Sequence, residues 1–98
     1  MSKKEMITEQ TRALMEGILC LETIEECQAF LEDLCTVSEL QSLAQRFEVA
    51  RMLTGKATYQ EVVKMTGAST ATISRVNKCL NYGKDGYELV ISRLKEIE

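Results

Sequence analysis

The chain has 98 residues and a net charge of −3; 45% of the residues are hydrophobic, 28% are charged, five are glycine, and none is proline or histidine. This composition excludes a disordered chain and, with no proline to interrupt helices, favours one small all-α domain. Because no apolar run resembles a signal peptide or reaches the roughly 18 residues of a membrane helix, we expect a cytoplasmic protein without membrane contact.

The spacing of apolar residues predicts six helices. The first spans about residues 8–21, the second begins at Thr23, and the third runs from Ser38 to about Leu53 and ends at Gly55. The second and third starts each contain a capping box, in which a Ser or Thr hydroxyl caps the helix and a Glu or Gln three residues later reaches back. The main apolar stripe of the third helix is predicted to contain Leu40, Leu43, Phe47, Ala50 and Leu53.

Two short helices follow in quick succession. The fourth has a capping box at Thr58 and Glu61, carries Val62 and Met65, and stops at Gly67. The fifth begins at about Ser69, extends to about Asn81 and is closed by Gly83. A helix, a tight turn and a second helix within residues 58–81 are typical of a helix-turn-helix.

The sixth helix is predicted to begin at Asp85, with Glu88 completing a capping box. Its predicted apolar stripe comprises Tyr87, Val90, Ile91, Leu94 and Ile97. No linker, repeat or low-complexity segment interrupts the chain, so residues 1–98 are predicted to form one domain.

The four cysteines allow two interpretations. They are Cys20, Cys27, Cys35 and Cys79, and no two have the CxxC spacing of a zinc or redox site. One interpretation is a metal site built from all four; the other is reduced cysteines packed as small apolar residues. We favour the second interpretation and expect no metal, because the spacing is irregular and the cytoplasm is reducing.

Charge is distributed unevenly along the chain. Residues 1–40 contain nine acidic and three basic residues, whereas residues 56–84 contain one acidic and five basic residues. The 23 residues between Glu61 and Asp85 contain no acid at all. An acidic protein with one basic segment can bind a polyanion there and repel it elsewhere.

The start of the fifth helix differs from four of the other helix starts. Those four have Glu or Gln three residues after the cap, where a carboxylate meets free N–H groups and the positive end of the helix dipole. The fifth begins Ser69-Thr70-Ala71-Thr72, with hydroxyls and no acid. Its N–H groups are therefore free to bind another anion, and a phosphate is suitable.

The two sides of the fifth helix also differ. Ile73, Val76 and Leu80 are predicted to face the core, which directs Ala71, Arg75 and Lys78 outward. Small residues near the start of a helix and a following arginine suit entry into the major groove of DNA. The predicted DNA-binding residues are Ser69, Thr70, Ala71, Thr72, Ser74, Arg75 and Lys78.

The run GASTATISRVNKCLNYG, together with the upstream LCTVSELQSLAQRFEVARML and TYQE, resembles the Trp repressor family. The resemblance is closest to its YerC/YecD-like branch of small predicted regulators and covers about residues 21–95. It implies an all-α, intertwined homodimer whose fifth helix, from Ser69, reads DNA. Val49 and Met52, beside the main stripe of the third helix, offer further apolar surface for such a dimer.

The resemblance also implies an effector pocket. The two arginines that sandwich tryptophan in the family would correspond to Arg46 and Arg75. The family glycine after the second arginine is replaced by Val76, and a serine that lines the pocket corresponds to Cys79. Because Val76 occupies the space of the indole ring, we do not expect tryptophan to be the effector, and the sequence identifies no other effector or cofactor. Alternatively, Arg46 is a structural arginine that pairs with an acid.

The sequence therefore predicts a homodimeric, sequence-specific transcriptional regulator, by resemblance a repressor, that binds double-stranded DNA at a near-palindromic operator. The alternative is a helical interaction module that binds an acidic protein partner through the same basic face. An enzyme is not expected, because the chain has no histidine, no glycine-rich phosphate loop and no Ser/Lys or Cys/His constellation.

Overall fold

Residues 8–98, the part of the chain that the computed structural model describes, form six α-helices and no strand. The predicted all-α fold and the number of helices are therefore confirmed. In chain order the helices are α1 (Glu9–Leu19), α2 (Ile24–Leu34), α3 (Val37–Thr54), α4 (Tyr59–Thr66), α5 (Thr70–Tyr82) and α6 (Gly86–Ile97).

The chain divides into two compact units, one that ends at Val37 and one that comprises Ser38–Glu98. In the first unit, α1 and α2 contain no buried residue. Large apolar side chains are exposed on both helices: Leu19 is 84% exposed and Ile24 is 80% exposed. Residues 8–37 therefore have no hydrophobic core of their own.

The second unit has a small core to which α3, α4, α5 and α6 all contribute. Its seven buried residues are all aliphatic: Val49, Ala50, Val62, Ala68, Ile73, Val76 and Ile91. Half-buried apolar side chains pack around it, among them Phe47, Leu53 and Leu80. Burying such side chains is the main favourable contribution to folding, so the core holds these four helices together.

Several apolar side chains of the predicted stripes are exposed, and others outside the stripes are buried. On α3 the buried residues are Ala50, as predicted, and Val49; Met52 packs against the core, whereas Leu43 is 42% exposed. The prediction that Val49 and Met52 lie beside the main stripe as surplus surface is therefore wrong. Met65 on α4 is also largely exposed, as is Ile97 on α6. Helical spacing predicts which residues share a face, but the packing partners decide which face is buried.

The helix caps confirm some of the predicted boxes and correct others. The α4 box is complete: the Thr58 hydroxyl accepts from the Glu61 N–H, and the Glu61 carboxylate accepts from the Thr58 N–H. In α2 the Thr23 hydroxyl accepts from the Glu26 N–H, but the Glu26 carboxylate accepts from the N–H of Glu22, one residue before the cap.

Two other predicted boxes are wrong. α3 begins at Val37, so Ser38 lies inside the helix and is not its cap. Asp85 precedes α6, but its side chain forms no cap hydrogen bond, because its backbone is left-handed at φ 63°. A side chain that caps a helix normally comes from a residue with extended backbone.

Glycines end three helices in different ways. Gly67 after α4 has φ 71°, a left-handed conformation that glycine adopts without strain. Gly55 follows α3 as predicted, but the left-handed residue there is Lys56. Gly83 after α5 lies so close to Cys79 that a β-carbon would be 2.4 Å from its carbonyl oxygen.

The four cysteines are all free thiols. Cys20 is exposed, whereas the other three are half-buried, so only those three fit the prediction of packed small apolar residues. Within residues 8–98, no three His, Cys, Asp or Glu residues are grouped as a metal ion would require. No helix in the same range is long and apolar enough to cross a membrane.

We expect Gly83→Ala to destabilise the protein by about 1–3 kcal/mol, because the new methyl group would overlap the Cys79 carbonyl and force the backbone to shift. Urea unfolding followed by circular dichroism measures the change. Gly86→Ala is the matched control, since nothing lies within 4 Å of the β-carbon that it would add. Equal stability of the two variants would contradict the expected overlap.

Candidate nucleic-acid interface

A helix-turn-helix is formed by α4 and α5. The turn between them consists of Gly67, Ala68 and Ser69, and Ala68 is buried. The Gly67 N–H donates to the Val63 carbonyl at 2.9 Å. The motif matches the predicted residues 58–81, except that α5 extends one residue further, to Tyr82.

One side of α5 is buried in the core and the other is exposed. Ile73 and Val76 are buried in the core, and Leu80 packs against it, as predicted. On the opposite side Arg75 and Lys78 are exposed. The buried side therefore fixes α5 to the unit, and its other side is open to a partner.

The predicted DNA-binding residues lie together at the start and on the outer side of α5. All are exposed except Thr72, which is half-buried: Ser69, Thr70, Ala71, Ser74, Arg75 and Lys78. The hydroxyl of Thr72 lies 3.1 Å from the hydroxyl of Ser69. The hydroxyls of Ser69 and Thr72 are thus already engaged in the helix cap, although Ser69 is exposed, and the other five side chains are exposed without such a contact.

The first turn of α5 has free donors and no carboxylate. Ser69 is the N-cap, and its side-chain oxygen accepts from the Thr72 N–H at 3.1 Å. Among residues 8–98, no hydrogen-bond acceptor engages the N–H groups of Thr70 and Ala71. Because these groups lie at the positive end of the helix dipole, the start of α5 attracts anions.

Basic side chains in this segment have no acidic partners. Lys64, Arg75, Lys78 and Lys84 form no salt bridge with any residue that the structure describes. Elsewhere in residues 8–98, Arg12 and Arg51 pair with glutamates. The positive charge around α5 is therefore not neutralised by acidic residues of the described chain.

The residues of the predicted effector pocket have different environments. Arg46 and Cys79 are half-buried, Arg75 is exposed, and Val76 is 1% exposed within the core. Within residues 8–98, Arg46 has no acid at salt-bridge distance, which does not favour the alternative of a structural ion pair. Binding of an effector by these four residues stays a prediction.

One contact of the motif was missed from the sequence. The side-chain amide of Gln45 on α3 donates to the carbonyl oxygen of Thr66, the last residue of α4, at 3.1 Å. A signal was available, since Gln45 lies four residues before the buried Val49 and seven before Met52, on the core-facing side of α3. A polar side chain at such a position requires a partner.

Comparison with known proteins agrees with this geometry. Residues 9–95 match the Trp repressor protein family. The chain is 59% identical over 85 residues to the protein YerC of Bacillus subtilis (strain 168), which covers 87% of this chain and 82% of YerC.

Two solved structures have the same fold. A TrpR-like protein from Eubacterium eligens matches with a TM-score of 0.90 at 49% identity, over 95% of this chain and 96% of that one. A candidate Trp repressor from Staphylococcus aureus matches with a TM-score of 0.92 at 43% identity, over 97% and 95% of the two chains.

The capping box of α4 predicts a specific response to acid. The hydrogen bond from the Thr58 N–H, and secondarily the Thr58 side chain, lowers the pKa of the Glu61 carboxyl below its ordinary value. A carboxyl whose pKa is lower in the folded state stabilises the fold at neutral pH and loses that contribution as the pH falls through its folded-state pKa.

We therefore expect the melting temperature of the wild type to fall more than that of Glu61→Gln when the pH is lowered from about 6 to about 3, since glutamine does not titrate. Thermal unfolding across this range measures the difference. Parallel curves for the two proteins would show that the box does not contribute to the pH dependence.

Proposed function

Because this chain belongs to the Trp repressor family, we propose that it is a sequence-specific DNA-binding transcriptional regulator, a repressor, that inserts α5 into the major groove. The observation that supports this most directly is the outer side of α5. There, exposed Arg75 and Lys78 follow a helix start that has free N–H groups and no acid. Such a surface offers donors for phosphates and for the guanine edge.

Distinct roles follow for the residues of α5. Arg75 has the reach and the paired donors to recognise a guanine, and Ala71 is small enough to let the helix backbone approach the bases. Lys78 and the free N–H groups at the helix start are suited to phosphates. Ser69 and Thr70 add hydroxyl donors at the same end. The acidic remainder of the chain would repel DNA that approaches from other directions.

We further propose that the regulator acts as an intertwined homodimer. Residues 8–37 have no buried side chain, and the apolar residues of α1 and α2 need a covering surface. A second copy of the chain would supply it. A two-fold dimer places two reading helices about 34 Å apart, one turn of DNA, which suits a near-palindromic operator.

Tryptophan is not the proposed effector. Val76 follows Arg75 where the family has a glycine that makes room for the indole ring, and its side chain is packed in the core. Arg46, Arg75, Val76 and Cys79 remain the proposed location if another effector binds. The regulator is therefore expected to bind DNA without an added ligand.

Selection of bound fragments from sheared DNA of the source genome, at near-physiological salt without ligand, tests the function. Enrichment of a near-palindromic site with half-sites one turn apart is the expected result. For that operator, we expect Arg75→Ala to reduce the binding free energy by about 1–3 kcal/mol, the loss typical of one base contact. Arg93→Ala, which removes an exposed arginine from α6, is the control and should bind as the wild type does.

Unchanged binding by Arg75→Ala would contradict base recognition by this residue. If no fragment is enriched, the observations favour the alternative function, a helical interaction module for an acidic protein partner. Salt dependence separates the two further. Binding to DNA releases counterions from the phosphates, so the affinity for DNA falls steeply as the salt concentration rises.

Sedimentation equilibrium tests the dimer, and we expect twice the 11.1 kDa of one chain. Ile18→Glu on α1 should raise the dissociation constant roughly 100-fold or more, because it would bury an unpaired carboxylate in the interface. Glu16→Gln, on the opposite side of α1, changes the charge by one unit of the opposite sign and should leave the dimer intact. A monomeric wild type would overturn this part of the proposal.

A further inference from the structure

The end of α4 is tied to α3 by a single long-range hydrogen bond. The last carbonyls of a helix have no partner within the helix, and the Thr66 carbonyl is one of them. It accepts from the side-chain amide of Gln45, which is half-buried. This bond joins residues 21 positions apart, whereas the other side-chain hydrogen bonds of residues 58–72 span two to four positions.

Local hydrogen bonds make the turn after Thr66 a fixed unit. The Thr66 hydroxyl donates to the Val62 carbonyl at 2.7 Å and accepts from the Ala68 N–H at 3.1 Å. Since Gly67 also bonds back to α4, the direction in which the chain leaves α4 is defined. α5 begins two residues after Ala68, so a displacement of Thr66 moves the start of α5 directly.

The core constrains this orientation through packing, without a directional bond. The contacts of Ile73 and Val76 with the core are aliphatic, and such contacts are non-directional. A hydrogen bond is directional, because it weakens steeply when its angle departs from linearity. The bond from Gln45 therefore adds a directional constraint to the packing of the core.

We propose that Gln45 is a positioning residue for DNA recognition, which sets the orientation of α5 on α3 through the Thr66 carbonyl. The inference rests on the proposed function. Without this amide, α5 would stay folded and docked, but its side chains would meet the bases less accurately. Contacts to bases need accurate placement, whereas contacts to phosphates depend mainly on charge.

Gln45→Met tests the inference, since methionine has a similar length and forms helices well but has no donor. Gln41→Met, at an exposed position one turn earlier on the same helix, is the matched control. The first measurement is amide hydrogen exchange without DNA. We expect the exchange of Gly67 and Ala68 to accelerate about 2- to 10-fold in Gln45→Met, the range for loss of one neutral hydrogen bond, and to be unchanged in Gln41→Met.

The second measurement is the ratio of affinities for the selected operator and for a shuffled duplex of equal length. We expect this ratio to fall about 2- to 10-fold in Gln45→Met, with affinity for the shuffled duplex unchanged. Should Gln45→Met fail to fold, Gln45→Asn carries the same expectation, because its amide is one methylene too short to reach Thr66.

The outcomes separate the inference from the proposed function. If the wild type prefers the operator and Gln45→Met keeps the same preference, the positioning role is overturned, even if exchange in the turn accelerates. Equal loss of affinity for both duplexes would also overturn it, since that is the result of general destabilisation. If the wild type itself has no preference between the duplexes, the proposed function is overturned, and the role of Gln45 in recognition with it.

Discussion

The burial of one side of α5 is the constraint on which the rest of the Ser38–Glu98 unit depends. Ile73 and Val76 pack into a core to which α3, α4 and α6 also contribute, so the opposite side of α5 must face outward. That side contains the exposed arginine and lysine. The same few aliphatic contacts thus stabilise the unit and determine which side chains of α5 face solvent.

Charge makes this outward side attractive to anions. Elsewhere the chain neutralises a helix start in the usual way, as Glu61 does in α4 with a carboxylate at the third helical position. At α5 that position is Thr72, and the helix forgoes the stabilisation that an acid would supply. The absence of an acid makes the start of α5 slightly less stable, but it leaves the N–H donors there available. Such a trade of stability for an available surface is common at functional sites.

Local features of this fold could be predicted from the sequence, and non-local ones could not. The helices, the turn at Gly67 and the two sides of α5 depend on caps and spacings within a few residues. The Asp85 box failed because the backbone is left-handed there, which the residue type does not reveal. The burial of Val49 in place of Leu43 depends on which helices pack together. The position of Gln45 on the core-facing side of α3 indicates that it needs a partner, but no local pattern identifies Thr66, 21 positions away, as that partner.

The division of labour between the two sides of α5 has an evolutionary consequence. The residues that hold the helix in place and those that face outward are different residues, so substitutions at Ala71, Ser74 or Arg75 leave the core contacts of Ile73 intact. Surface substitutions away from special features usually change stability by less than about 0.5 kcal/mol. The outward side of α5 is therefore free to change in sequence, and with it whatever this side binds, while the fold is retained.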